Sequence, residues 1–138
     1  MILGIGIDII DVERFAEWHT KSEQELSRVF SFLEIAYCLH GTKEQSAERF
    51  AVRFATKEAF FKAYHAMLYA IGQSNENSLF AVQKEISITH LPYGVPTLQV
   101  NWENLLPEDA NPPRVHVSLS HANTNAVAMV VLERWENR

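Results

Sequence analysis

Two carboxylates stand where the surrounding pattern asks for something apolar: Asp8, in the run from Ile2 to Ile10, and Glu58, in Arg53-Phe54-Ala55-Thr56-Lys57-Glu58-Ala59-Phe60-Phe61-Lys62-Ala63-Tyr64. A buried carboxylate is costly unless it is protonated, paired or bound to a cation. If the two converge, their repulsion either raises a pKa or calls for a metal ion. An all-oxygen pair of this kind suits Mg²⁺, which takes one or two protein carboxylates and fills its other positions with water and phosphate oxygens. Lys62, one helical turn beyond Glu58, is placed either to meet a phosphate beside such an ion or to form an ordinary helix salt bridge with Glu58. A third polar group, Ser118, Ser120 and His121, falls at a strand end as either a phosphate contact or a set of turn residues. No nucleophile-elbow glycine pattern supports a serine hydrolase, and Cys38 with His40 lacks the paired spacing of a zinc site.

The elements that must position these groups follow from periodicity. From Lys43 to about Ile71 there is no Pro or Gly, and Ala47, Phe50, Ala51, Phe54, Phe61 and Leu68 recur on one stripe, which predicts a long helix over 43–71 with Glu58 in mid-stripe. Ile2 to Ile10 alternates Leu3, Ile5, Ile7 and Ile9 on one face with Ile2, Gly4, Gly6 and Asp8 on the other, which reads as a buried strand. Its glycines mark close approach of another backbone or a ligand, with Asp8 just beyond, either capping the next turn or serving a site. A short helix is expected over 11–18, and Ser31 with Glu34 forms a capping box for the next. Residues 73–78 make a polar connection. Residues 85–91 and 97–100 form a hairpin around Pro92–Pro96. Residues 114–121 form a strand with Val115, Val117 and Leu119 toward the core, and 126–132 a central strand. The chain is thus expected to be one α+β domain, residues 1–138, with an N-terminal strand and helices followed by an antiparallel sheet.

Among 138 residues, 47% are apolar and 21% charged, with a net charge of −5, an ordinary globular composition that argues against nucleic-acid binding. The lone Cys38 and the lack of a signal peptide or membrane span point to a reducing cytoplasm.

Four motifs in order carry a resemblance. Gly4-Ile5-Gly6-Ile7-Asp8-Ile9, the Arg53–Ala63 stretch, Gly94-Val95-Pro96 and His116-Val117-Ser118-Leu119-Ser120-His121 are similar to those of the holo-acyl-carrier-protein synthases, the short group of the 4′-phosphopantetheinyl transferase superfamily. The resemblance implies that group's fold and its reaction: transfer of phosphopantetheine from coenzyme A to a serine of apo acyl carrier protein, in fatty acid synthesis. It implies that Asp8 and Glu58 hold Mg²⁺, that Lys62 contacts the pyrophosphate, and that Arg53, Ser118 and His121 help bind coenzyme A. It also implies a homotrimer with sites at subunit interfaces, and Arg14 as a contact to the acidic carrier, with Lys21 and Arg28 as further docking candidates. One departure stands out: where the family turns through a glycine-rich segment after Ala63, residues 64–71 continue as helix, leaving His65 or Gln73 to substitute. Two alternatives follow, a relative that binds coenzyme A or a carrier without turnover, and an unrelated Mg²⁺-dependent diphosphate hydrolase.

Overall fold

The computed structural model describes residues 1–74 and 77–136. The chain opens with strand β1 (Ile2–Asp11), followed by 3₁₀ turns at Val12–Phe15 and Trp18–Thr20. Helices α1 (Glu23–Leu26), α2 (Phe32–Leu39), α3 (Lys43–Ala70) and α4 (Leu79–Gln83) come next. The hairpin β2 (Ile86–His90) and β3 (Pro96–Val100) precedes strands β4 (Arg114–His121) and β5 (Asn125–Glu133). The α+β class is as expected, but the sheet divides: β1-β5-β4 form one antiparallel sheet and β2-β3 a second. The N-terminal strand thus closes on the C-terminal one. The short helix expected over 11–18 is replaced by the two 3₁₀ turns, and α4 was not foreseen. Of the polar connection expected over 73–78, Asn75 and Glu76 lie outside the described residues.

Local signals set the helix ends. The Ser31 hydroxyl accepts from the Glu34 amide and the Glu34 carboxylate accepts from the Ser31 amide, which starts α2. Thr42 and Gln45 form the same reciprocal box at the start of α3. That helix runs 28 residues, about 42 Å at 1.5 Å per residue. Buried residues surround it on nearly every side, so the expected stripe is wider than drawn, while Phe61 and Glu58 lie half-buried at its margin rather than at its centre.

Of the two faces of β1, the glycine face is the one that packs. A Cβ at Gly4 would overlap the carbonyl oxygen of Ala63, and one at Gly6 that of Ala59, so the strand backbone lies directly against α3. Gly4, Gly6, Asp8 and Ile10 therefore face the core, whereas Ile5, Ile7 and Ile9 are 54%, 59% and 67% exposed. In β4 the expected alternation holds: Val115, Val117 and Leu119 are partly buried and His116, Ser118 and Ser120 are exposed. β5 is the central strand, with Ala126, Ala128, Val130 and Leu132 fully buried.

Candidate functional site

Asp8 reaches α3 because it follows the glycine face of β1 by strict alternation. Its Oδ1 accepts a hydrogen bond from Lys62 Nζ at 3.2 Å, and the same ammonium donates to the Ile7 carbonyl at 2.9 Å. Asp8 does not cap the following turn. Lys62 pairs with Asp8 rather than with Glu58, so the helix salt bridge weighed from spacing is not the one that forms. Asp8 Oδ2 is buried and has no hydrogen-bond partner. Glu58 is held above the usual carboxylate range, first by burial and then by the neighbouring charge of Asp8; Arg14 and Lys62 pull in the other direction. The two carboxylates therefore lie within electrostatic reach of each other, the condition that the sequence left open.

This pair fits a divalent cation on its own chemistry. An orphaned buried oxygen beside a carboxyl that resists ionising shows a site short of positive charge, which one lysine on Oδ1 does not supply. Among the described residues no cluster of three His, Cys, Asp or Glu side chains could cage a metal. A two-carboxylate site matches an ion that keeps water and substrate oxygens in its shell.

Arg14 also belongs near this centre: its guanidinium lies 4.9 Å from the ring centroid of Phe54, and its charge acts on Glu58. Lys21 and Arg28 are exposed, Lys21 lying 3.7 Å from Glu25 and over the Trp18 ring.

Arg53 and His121 form a second group. Arg53 lies about 140° around α3 from Glu58, at roughly 100° per residue. With Arg49, His90, Gly94 and Pro96, they line a cleft of about 390 Å³. Arg53 is buried, its guanidinium 4.2 Å from the Tyr37 ring centroid, and its Nε has no hydrogen-bond partner. Arg49 covers the same ring at 4.5 Å and donates to the Tyr37 and His40 carbonyls. His121 Nδ1 is 3.9 Å from Glu48. Burial and Arg53 lower the pKa of His90, favouring its neutral form. This cationic cleft can hold an anion. Among the described residues no hydrogen bond or ion pair joins it to Asp8, Glu58 and Lys62. Ser118 joins neither group; it projects from the exposed sheet face, in register with Met129 and Ile7.

Arg49, Tyr37 and His90 went unnoticed in the sequence. Arg49 was detectable as the residue one turn before Arg53, whereas Tyr37 and His90 come from other elements. Of the proposed substitutes for the glycine turn, His65 lies against Phe61 with its Nε2 buried and unpartnered, and Gln73 lines a different cavity with Leu3 and Trp135. The helix does continue to Ala70. Burial pushes the Cys38 thiol up to about 12, which removes it as a nucleophile near neutral pH.

Residues 4–130 match the family model described as the 4′-phosphopantetheinyl transferase superfamily. The chain is 38% identical over 136 residues to a holo-[acyl-carrier-protein] synthase of Geobacter metallireducens, covering 97% of this chain and 99% of that protein. It is 36% identical to a synthase of the same description from Clostridium perfringens, covering 96% of this chain and 95% of that one. Among solved structures, an acyl-carrier-protein synthase–CoA complex from Chronobacterium ammoniagenes superposes with a TM-score of 0.75 at 27% identity, over 96% of this chain and 97% of that one. The holo-(acyl-carrier-protein) synthase of Bacillus anthracis in complex with CoA gives 0.68 at 29% identity, over 98% and 99% of the two chains.

Proposed function

The chain belongs to the 4′-phosphopantetheinyl transferase superfamily, and on that premise we propose that it is a holo-acyl-carrier-protein synthase working as one domain. In the reaction a serine hydroxyl oxygen of the apo carrier bonds to the phosphorus that bears pantetheine. The pyrophosphate P–O bond breaks, and adenosine 3′,5′-bisphosphate leaves with the electron pair. The observation that supports this most directly is the convergence of Asp8, Glu58 and Lys62 on one spot with an orphaned Asp8 oxygen.

In this reading Asp8 and Glu58 hold Mg²⁺. The ion supplies electrostatic stabilisation of charge developing on the pyrophosphate. Lys62, already fixed by Asp8 and the Ile7 carbonyl, adds a positive charge beside the same phosphates, and in this reading the Glu58 carboxylate can accept the serine proton. Arg53 and His121 bind the nucleotide end of coenzyme A in the cationic cleft. Arg14, Lys21 and Arg28 present the local positive surface that an acidic carrier requires despite the net charge of −5. The carrier is that of fatty acid synthesis, and the site of action is the cytoplasm; no described helix is long and apolar enough to cross a membrane.

The active unit is a homotrimer. Two features favour it: the functional residues fall into separate groups within one chain, and the exposed rows Ile5–Val131–His116, Ile7–Met129–Ser118 and Ile9–Val127–Ser120 offer an apolar sheet face for burial. Ser118, which serves neither group within its own chain, then meets coenzyme A at a subunit interface.

Intact-mass measurement of apo acyl carrier protein after incubation with this protein, coenzyme A and Mg²⁺ tests the assignment. A gain of one phosphopantetheine, prevented by EDTA, is expected. Continuous helix over 64–70 is the observation favouring a relative that binds without turnover, and coenzyme A binding with no mass gain on several carriers would move the assignment there.

A further inference from the structure

The hairpin joining β2 to β3 carries a residue that its own geometry does not favour. The turn is closed by hydrogen bonds from the Leu91 amide to the Val95 carbonyl at 2.8 Å and from the Gly94 amide to the Leu91 carbonyl at 3.1 Å. Tyr93 and Gly94 are both left-handed, with φ of 68° and 75°. Consecutive left-handed residues at a hairpin tip favour Asn-Gly, because a bulky side chain at positive φ crowds its own backbone. Tyrosine in such a place is ordinarily held by packing. Tyr93 is 104% exposed, and among the described residues its ring and hydroxyl have no hydrogen bond or ring contact. The fold therefore gains nothing from the ring, and an uncompensated outlier of this kind points to a function.

Its neighbours Gly94 and Pro96 line the cleft that contains Arg53, His90 and His121. A nucleotide needs two things from such a place: cations for its phosphates and a flat π-surface for its base. The guanidinium groups supply the first. The cleft's own tyrosine, Tyr37, cannot readily supply the second, since Arg49 and Arg53 both lie over its ring. We propose that Tyr93 is the base-stacking residue of this site, holding the adenine of coenzyme A while the cationic cleft takes its phosphates. This rests on the assignment of coenzyme A as substrate and adds the residue that reads its base.

The test is direct binding, by calorimetry, of adenosine 3′,5′-bisphosphate and of 4′-phosphopantetheine, which lacks the nucleotide, to the intact protein and to Tyr93→Phe and Tyr93→Asn. Loss of base stacking corresponds to about a tenfold weakening. Tyr93→Asn is expected to bind the bisphosphate about tenfold more weakly and phosphopantetheine unchanged, and to melt at a higher temperature because asparagine suits the turn. Tyr93→Phe should bind like the parent. Equal bisphosphate affinity in Tyr93→Asn and the parent would overturn the proposal while leaving coenzyme A as substrate. A change in oligomeric mass of Tyr93→Asn by light scattering would overturn it in favour of a subunit contact. Failure of the unaltered protein to bind either coenzyme A or the bisphosphate would remove the functional assignment itself, and this inference with it.

Discussion

The proposed roles of Asp8 and Glu58 would poise a site at a cost to the fold. Because the Glu58 pKa is raised in the folded chain, the folded state binds more protons than the unfolded state above the ordinary glutamate value of 4.5. Stability is thus fully present below that value and declines as pH rises through the raised one. Glu58→Gln removes the ionisation. The variant should match the parent in melting temperature near pH 4, exceed it increasingly toward pH 7 and lose transfer activity, and Mg²⁺ is expected to raise the melting temperature of the parent but not of the variant. A flat difference across that range would contradict the electrostatic account. Lys57, beside it in sequence, has a different task. Its ammonium, with three protons, sits among four acceptors, the carbonyls of Val29 at 2.7 Å, Gln83 at 3.2 Å and Ile86 at 2.9 Å and the Glu34 carboxylate at 2.8 Å, with the two side chains 1% and 0% exposed. Lys57→Met leaves the Glu34 carboxylate buried without its cation, so unfolding in denaturant should show a loss of about 3–5 kcal/mol.

At the scale of elements, the contact between β1 and α3 decides where the carboxylates meet. Ala59 and Ala63 on the helix face Gly4 and Gly6 on the strand, which lets the two backbones touch. Gly6→Ala places a methyl group on the Ala59 carbonyl oxygen and must push the strand outward. The expected cost is on the order of 3 kcal/mol. Since Asp8 moves with the strand, transfer should also fall at temperatures where the variant remains folded by circular dichroism; full activity there would show that the register tolerates the shift. The helix supporting all this is secured by local capping at Thr42 and Gln45, remote from the chemistry.

For the whole molecule, the proposed homotrimer would account together for the separation of the Asp8–Glu58–Lys62 group from the Arg53–His121 cleft and for the exposed isoleucines of β1. Ile7→Glu puts a charge at the centre of the exposed face, opposite Met129. Light scattering should then report a monomer with parental circular dichroism and little transfer activity. A monomer retaining full activity would show that one chain completes its own site. The proposed carrier surface belongs to this scale as well, since Arg14 is tied to Phe54 and Glu58 while Lys21 and Arg28 reach solvent from the following segment.

What the sequence determined by itself was whatever short-range rules govern. The capping pair Ser31–Glu34 starts a helix within a few residues, the unbroken run from Lys43 to Ala70 contains no breaker, and Asp8 and Glu58 stand out because a charge in an apolar pattern is anomalous wherever the chain folds. Tertiary structure alone decided matters that depend on partners far along the chain. Periodicity marks two faces of β1 but not which one packs; the glycines choose by admitting the α3 backbone, leaving the isoleucines outside. Lys62 finds Asp8 rather than Glu58 because the strand approaches closely enough to offer a carbonyl as well. The burial of Lys57 could not be read at all, since its acceptors lie 23 to 29 residues away and become neighbours only when α2, α4 and β2 close around the helix.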